Sequence, residues 1–154
     1  MKVMGVRVST ESVRYAVIDY LSDGTFLFCN TEDNRLLFPR DAETDIDKMM
    51  WFWDSFERLM GVFQDISKIV IKLPEFGRNE TSASRLIHYL NAIIMMVASR
   101  HMHPVAVEGK NYRTLGTRSA DVKTYVISHG IARTQHYWDT KICDAIAAAI
   151  SERN

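Results

Sequence analysis

The sequence predicts an α/β domain in which three antiparallel strands precede two helix–strand alternations and a closing set of helices. Three observations carry this prediction. Apolar runs at Lys2–Val8 and Tyr15–Tyr20 flank a short polar stretch, Ser9–Ser12. Two long segments, one after Thr44 and one after Ser82, repeat their apolar residues at helical spacings. A β-branched run, Ser67–Leu73, stands between those two segments. Alternation of these patterns is the signature of strands that pair with helix crossovers between them.

Taken in order, Lys2–Val8 and Tyr15–Tyr20 read as a hairpin, because only a short stretch that opens with the polar Ser9–Ser12 separates them. Ser22–Asp23–Gly24 is a turn signal, and Thr25–Asn30 is rich enough in β-formers to continue the meander as a third strand. Arg35–Phe38 adds a short edge segment before Pro39. Thr44 is a capping residue, and Ile46, Met49, Met50, Trp53, Phe56, Met60 and Phe63 form the predicted buried stripe of the first helix. Ser67–Leu73, ended by Pro74, suits a buried strand reached by a crossover. Ser82 is the expected cap of a second helix with Leu86, Leu90, Ile93, Ile94 and Val97 inward, and Pro104–Val107 is the expected fifth strand. Short helices are expected at Tyr112–Leu115 and Ser119–Ser128, the latter ended by Gly130, and a last, alanine-rich helix at Asp139–Glu152.

A chain of 154 residues can bury one sizeable core but hardly two, so residues 1–154 are read as one domain. No stretch approaches the roughly 18–20 apolar residues of a membrane span, and the start of the chain lacks a signal-peptide cleavage pattern. Cys29 and Cys143 lie far apart without metal-ligand spacing and are expected to be buried free thiols of a reducing, cytoplasmic compartment. Net charge is zero, yet acids outnumber bases ten to four over residues 21–66, and bases outnumber acids twelve to seven from Ser67 onward. That asymmetry allows an anion-binding face or a dipole that favours self-association.

Gly5–Val6, then Tyr15–Ala16–Val17–Ile18, then Phe76–Gly77–Arg78–Asn79 with Ser82–Ala83 and Leu86 follow one another along the chain. In this order they resemble the first two strands and the segment after the fourth strand of the Holliday-junction resolvase RuvC family of the RNase H fold. Lys123 sits where the family has a lysine after the fifth strand, and Asp144–Ala145–Ile146–Ala147 resembles its final Asp-Ala-Leu-Ala. The resemblance implies a RuvC-type, five-stranded mixed sheet with strand and helix order βββαβαβ followed by C-terminal helices, in a protein of bacterial character. It also implies two divalent ions held by four carboxylates, but Arg7, Lys72 and Lys141 occupy three of those positions and only Asp144 remains. Cations in place of ligands oppose a two-metal site, so no metal, no cofactor and no two-metal hydrolysis are expected.

Three functions follow as alternatives. In the first, the former cleft binds an anion, DNA or RNA, through Arg7, Lys72 and Lys141 near Asp144, extended by Arg78, Arg113, Lys123 and His129. Its bland counterpart is a disused site filled by a salt-bridge cluster. In the second, the chain is a dimeric scaffold or binds a protein partner, because Met49–Trp53 places five large apolar residues in a row and leaves Trp51 or Phe52 facing outward. In the third, a metal-dependent nuclease persists on relocated carboxylates drawn from Asp19, Glu75, Glu80, Glu108 and Asp121, with Glu108 near the active edge. His101 and His103, with His88, His129 or His136, lack the spacing of a metal site, and neither a phosphate loop nor a nucleophile elbow is present.

Overall fold

A computed structural model describes every residue except Phe76, Arg78 and Asn154. Strands β1 (Lys2–Val8) and β2 (Ser12–Tyr20) form the hairpin, followed by β3 (Phe26–Phe28) and β4 (Arg35–Leu37). Helix α1 (Asp45–Val62), strand β5 (Ile66–Lys72), helix α2 (Ser82–Arg100) and strand β6 (Ala106–Lys110) come next. Helices α3 (Tyr112–Leu115), α4 (Val122–Ser128) and α5 (Thr140–Ile150) follow, and a 3₁₀ turn at Ser151–Arg153 extends α5. The sheet runs β3-β2-β1-β5-β6, with β4 paired to the other end of β2. β1 is antiparallel to β2 and parallel to β5, and β5 is parallel to β6.

The period-two alternation of the strands divides the interior into two cores. Met4, Val6 and Val8 of β1 and Ile69 and Ile71 of β5 face α1 and α2. Val3, Ala16, Ile18 and Val70 face α4 and α5. The second layer lies close to the sheet because Gly5 has no side chain: a Cβ there would stand 1.8 Å from the carbonyl oxygen of Ala145. All residues of α5 from Ile142 to Ile150 are buried, and its alanines let this contact form along the helix.

Several sequence expectations shift. The buried stripe of α1 is Phe52, Ser55, Phe56, Leu59 and Met60, while Ile46 and Met50 are largely exposed. The apolar run at Met49–Trp53 offered two possible stripes, and the one that meets both sheet and α2 prevailed. Phe52 is therefore not an interface residue: it is fully buried, and Trp51 is half-buried with its ring edge-on to Phe38 at 5.4 Å. Thr81 rather than Ser82 caps α2, its hydroxyl accepting from the amide of Ser84. Pairing of β6 starts at Ala106 because the amide of Val105 still donates to Ala98 of α2 and Pro104 has no amide hydrogen. Cys143 is buried, but Cys29, at the short edge strand's end, is exposed. Among the described residues no helix is long and apolar enough to cross a membrane.

Candidate nucleic-acid interface

The site begins with strand register. Arg7 of β1 is the partner of Arg14 of β2, which is the partner of Arg35 of β4. Lys72 and Lys110 are partners on β5 and β6, and Arg7 and Lys72 each follow the registered pair Val6–Ile71. Cross-strand partners project to the same side of a sheet, so one row of cations crosses its α5 face. Alternation along each strand puts them there, opposite the apolar residues that face α1 and α2.

Helix α5 and the turn after it answer this face with acids. Arg7 Nε donates to Asp144 Oδ2 at 3.1 Å, and Arg14 donates to Asp139, which also caps α5 by accepting from the Ile142 amide. At the far end Glu152 accepts from Lys68 and Lys110 at 2.6 and 2.9 Å. Asp144 is 2% exposed, and its other carboxylate oxygen accepts from the Tyr112 hydroxyl at 2.6 Å. Burial pushes the Asp144 carboxyl above the ordinary carboxylate range, against the opposing pull of the Tyr112 hydroxyl, Arg7 and Lys72. Burial, with Asp144 beside it, pushes the Tyr112 phenol up to about 12.

Lys72 is enclosed but does not touch Asp144. Its ammonium donates to Leu73 O at 2.6 Å and Glu75 Oε1 at 2.9 Å, and lies 3.7 Å from the Tyr112 ring centre. Glu75 Oε1 also accepts from the Tyr112 amide at 3.0 Å, and the Lys72 bond holds this carboxyl below its usual range. Among the described residues Lys141 reaches only Ser9 Oγ, at 3.5 Å. The three replacement cations thus do not converge on Asp144: Arg7 alone is in direct contact, because Tyr112 occupies the place between Lys72 and the carboxylate. Arg113 and Lys123 are exposed on α3 and α4, and Arg78 lies outside the described residues. Arg113 borders a cleft of about 620 Å³ whose lining also includes Tyr112, Arg118, Thr124, Tyr125 and Ser128.

The relocated carboxylates do not assemble. Asp19 binds the terminal ammonium, Glu75 binds Lys72, Glu80 faces Arg85 at 3.8 Å, and Asp121 binds Arg118. Glu108 pairs with Lys68 beside Glu152, eight residues of helix and turn beyond Asp144, rather than at the Asp144 end. Among the described residues no three His, Cys, Asp or Glu side chains are grouped to hold a metal ion. His101 and His103 contact each other, and His129 contacts Tyr125.

Sequence reasoning missed Tyr112, Arg14, Arg35 and Tyr137, and named Glu75 only as a relocated metal ligand, not as the partner of Lys72. Arg14 left a readable signal: a hairpin turning at Ser9–Ser12 pairs Val8 with Val13 and hence Arg7 with Arg14. The others depend on contacts that no local spacing announces.

No protein-family model matches the sequence, and no curated protein matches it. Solved structures do match in shape. Thermus thermophilus RuvC superposes with a TM-score of 0.79 at 11% identity, over 99% of this chain and 93% of that one. T. thermophilus RuvC in complex with Holliday junction substrate gives 0.78 at 12% identity, over 99% and 92%. The yeast mitochondrial Holliday junction resolvase Ydc2 gives 0.64 at 10% identity, over 96% and 74%. The chain has the RuvC-like form of the RNase H fold.

Proposed function

We propose that this chain is a nucleic-acid-binding module that holds a phosphate backbone beside the α5 face without hydrolysing it. The observation that carries the reading is the buried Asp144 carboxylate held by Arg7 and Tyr112, with Lys72 behind the Tyr112 ring; Arg7, Lys72 and Asp144 stand at positions where the resemblance implies metal-binding carboxylates. A divalent ion there would meet two cations and one carboxylate whose oxygens are already engaged. Around this closed centre, Lys141, Arg113 and Lys123 make no salt bridge among the described residues and are the phosphate contacts of the reading. That a RuvC of the same fold has been seen with Holliday junction substrate supports DNA, and branched DNA first, as the ligand.

The test is binding of labelled four-way junction, duplex and single-stranded DNA and of RNA across a salt series, with a magnesium cleavage assay alongside. Affinity is expected to fall linearly on a log–log salt plot, and Lys141→Ala with Arg113→Ala to shrink the slope by about 0.9 per lost phosphate contact. Absence of binding at low salt, or magnesium-dependent cleavage lost in Asp144→Asn, sinks the reading.

A second reading rests on a separate observation. Met49, Met50, Trp53, Ile93 and Met96 line an apolar groove of about 420 Å³ between α1 and α2, and Ile46, Met50, Met95 and Met96 expose about half or more of their surface. Such a patch suits a protein partner or a second copy. Sedimentation of wild type beside Met50→Glu tests self-association: a monomer in both excludes the dimer.

A further inference from the structure

We propose that Tyr137 is a stacking platform for an unpaired base, so that the nucleic acid bound by this module carries at least one unpaired nucleotide. The inference rests on the nucleic-acid reading above and adds to it the kind of strand that fits.

Tyr137 is the one non-glycine residue among those described that has a positive φ, 57°. A side chain with a Cβ avoids that region unless its surroundings hold it there. What holds it is visible. The Arg35 guanidinium lies 4.1 Å from the ring centre and that of Arg14 lies 5.5 Å away. Arg14 is buried and fixed by Asn34 and Asp139, and Arg35 is its cross-strand partner, so both cations approach the ring from the sheet. The backbone is tied on either side: Thr134 Oγ1 donates to the His136 carbonyl at 2.9 Å, and the Asp139 amide donates to the Tyr137 carbonyl at 3.1 Å. Despite this support the ring is 48% exposed.

A large aromatic ring, bordered by two guanidinium groups and still about half exposed, offers a flat surface without buried apolar depth. Its charge selects the ligand. Two guanidinium groups beside the ring disfavour a further cation on it, which rules against quaternary ammonium ligands. A neutral flat ring joined to an anionic backbone fits, because base–aromatic stacking tolerates any base. Arg35 makes no salt bridge among the described residues, and Lys141 stands four residues on in the first turn of α5, so phosphate partners are at hand. A base inside a duplex is covered on both faces by its neighbours, which leaves an unpaired one.

The experiment uses oligonucleotides carrying 2-aminopurine at an unpaired position or inside a blunt duplex. Wild type, Tyr137→Trp, Tyr137→Asn and Arg35→Ala are compared by fluorescence and by competition binding. Asn tolerates the left-handed backbone, so Tyr137→Asn removes the ring and keeps the turn. Expected are quenching of the unpaired probe by wild type and Tyr137→Trp, loss of quenching in Tyr137→Asn, and a drop in its affinity of about 5- to 150-fold. Arg35→Ala is expected to weaken the quenching. Equal binding of both probes with Tyr137→Asn unchanged overturns the platform and leaves nucleic-acid binding intact. No binding of either probe by wild type overturns both.

Discussion

Arg7, mostly buried, and Arg14, fully buried, meet acids of the α5 segment, Asp144 deep in the layer and Asp139 at its surface, whereas the exposed Arg113 and Lys123 and the half-buried Lys141, on the helices of the same layer, make no salt bridge among the described residues. The two groups carry the same charge and differ in what their surroundings require. A buried cation must be matched, since an unpaired charge out of water costs several kcal/mol. An exposed cation is solvated and contributes little to stability. The inner group therefore reports on how α5 is docked, and the outer group on what the surface meets.

The largest expected effect breaks the inner group. Arg7→Met leaves Asp144 buried with only Tyr112, and urea unfolding should show a loss of about 3–5 kcal/mol. Restoring balance with Arg7→Met/Asp144→Leu should recover most of it, since an apolar pair of similar volume is often neutral; no recovery would mean the pair contributes beyond its charges.

Gly5→Ala attacks the same docking without touching a charge. The new methyl meets the backbone of Ala145, which cannot turn aside, so a loss of about 3 kcal/mol or more is expected, read as a lower midpoint in the same unfolding experiment. A wild-type midpoint would show that α5 does not sit this close to β1.

The outer group should separate stability from binding. Lys141→Ala/Arg113→Ala is expected to move stability by no more than about 0.5 kcal/mol while weakening DNA binding and flattening its salt dependence. A large fall in the unfolding midpoint would place these residues in the inner group.

The smallest effect sharpens the comparison through pH. Burial raises the Asp144 carboxyl above its unfolded value, so between those two values the folded state holds the extra proton. Its contribution to stability is then fully present below the unfolded value and is lost as pH rises through the folded one. Glu75 and Glu152, held low, contribute in the opposite sense. The difference between wild type and Asp144→Asn isolates the term: wild type should lose stability relative to the variant as pH rises, and a difference flat with pH would contradict the raised carboxyl.

Much of the fold was legible because each strand and helix carried its own period. The hairpin, the crossover strand Ile66–Lys72 and the alanine-rich α5 lie close to where pattern and turn chemistry placed them. The face of α1 was not, since a run such as Met49–Trp53 supports more than one stripe and only packing against β1 and α2 selects Phe52. In the site, Arg7, Lys72, Lys141 and Asp144 could be named from order and resemblance. Which of them touch could not, because Tyr112 enters from another helix and Glu75 from a loop. Arg35 and Tyr137 meet across about a hundred residues of chain through a ring face, a contact with no sequence period at all.

The pairing of Arg7 with Asp144 also sets an order of events during synthesis. These residues are 137 positions apart, so at about 5–20 residues per second the hairpin waits about 7–27 s for its acid to be made. Throughout that interval two arginines and the groove over Gly5 lie on a sheet face without their cover. The sheet can close over α1 and α2 as they appear, but its other face lacks most of its cover until α5 is made, so a chain stopped short of α5 carries an open, cationic surface that this helix seals.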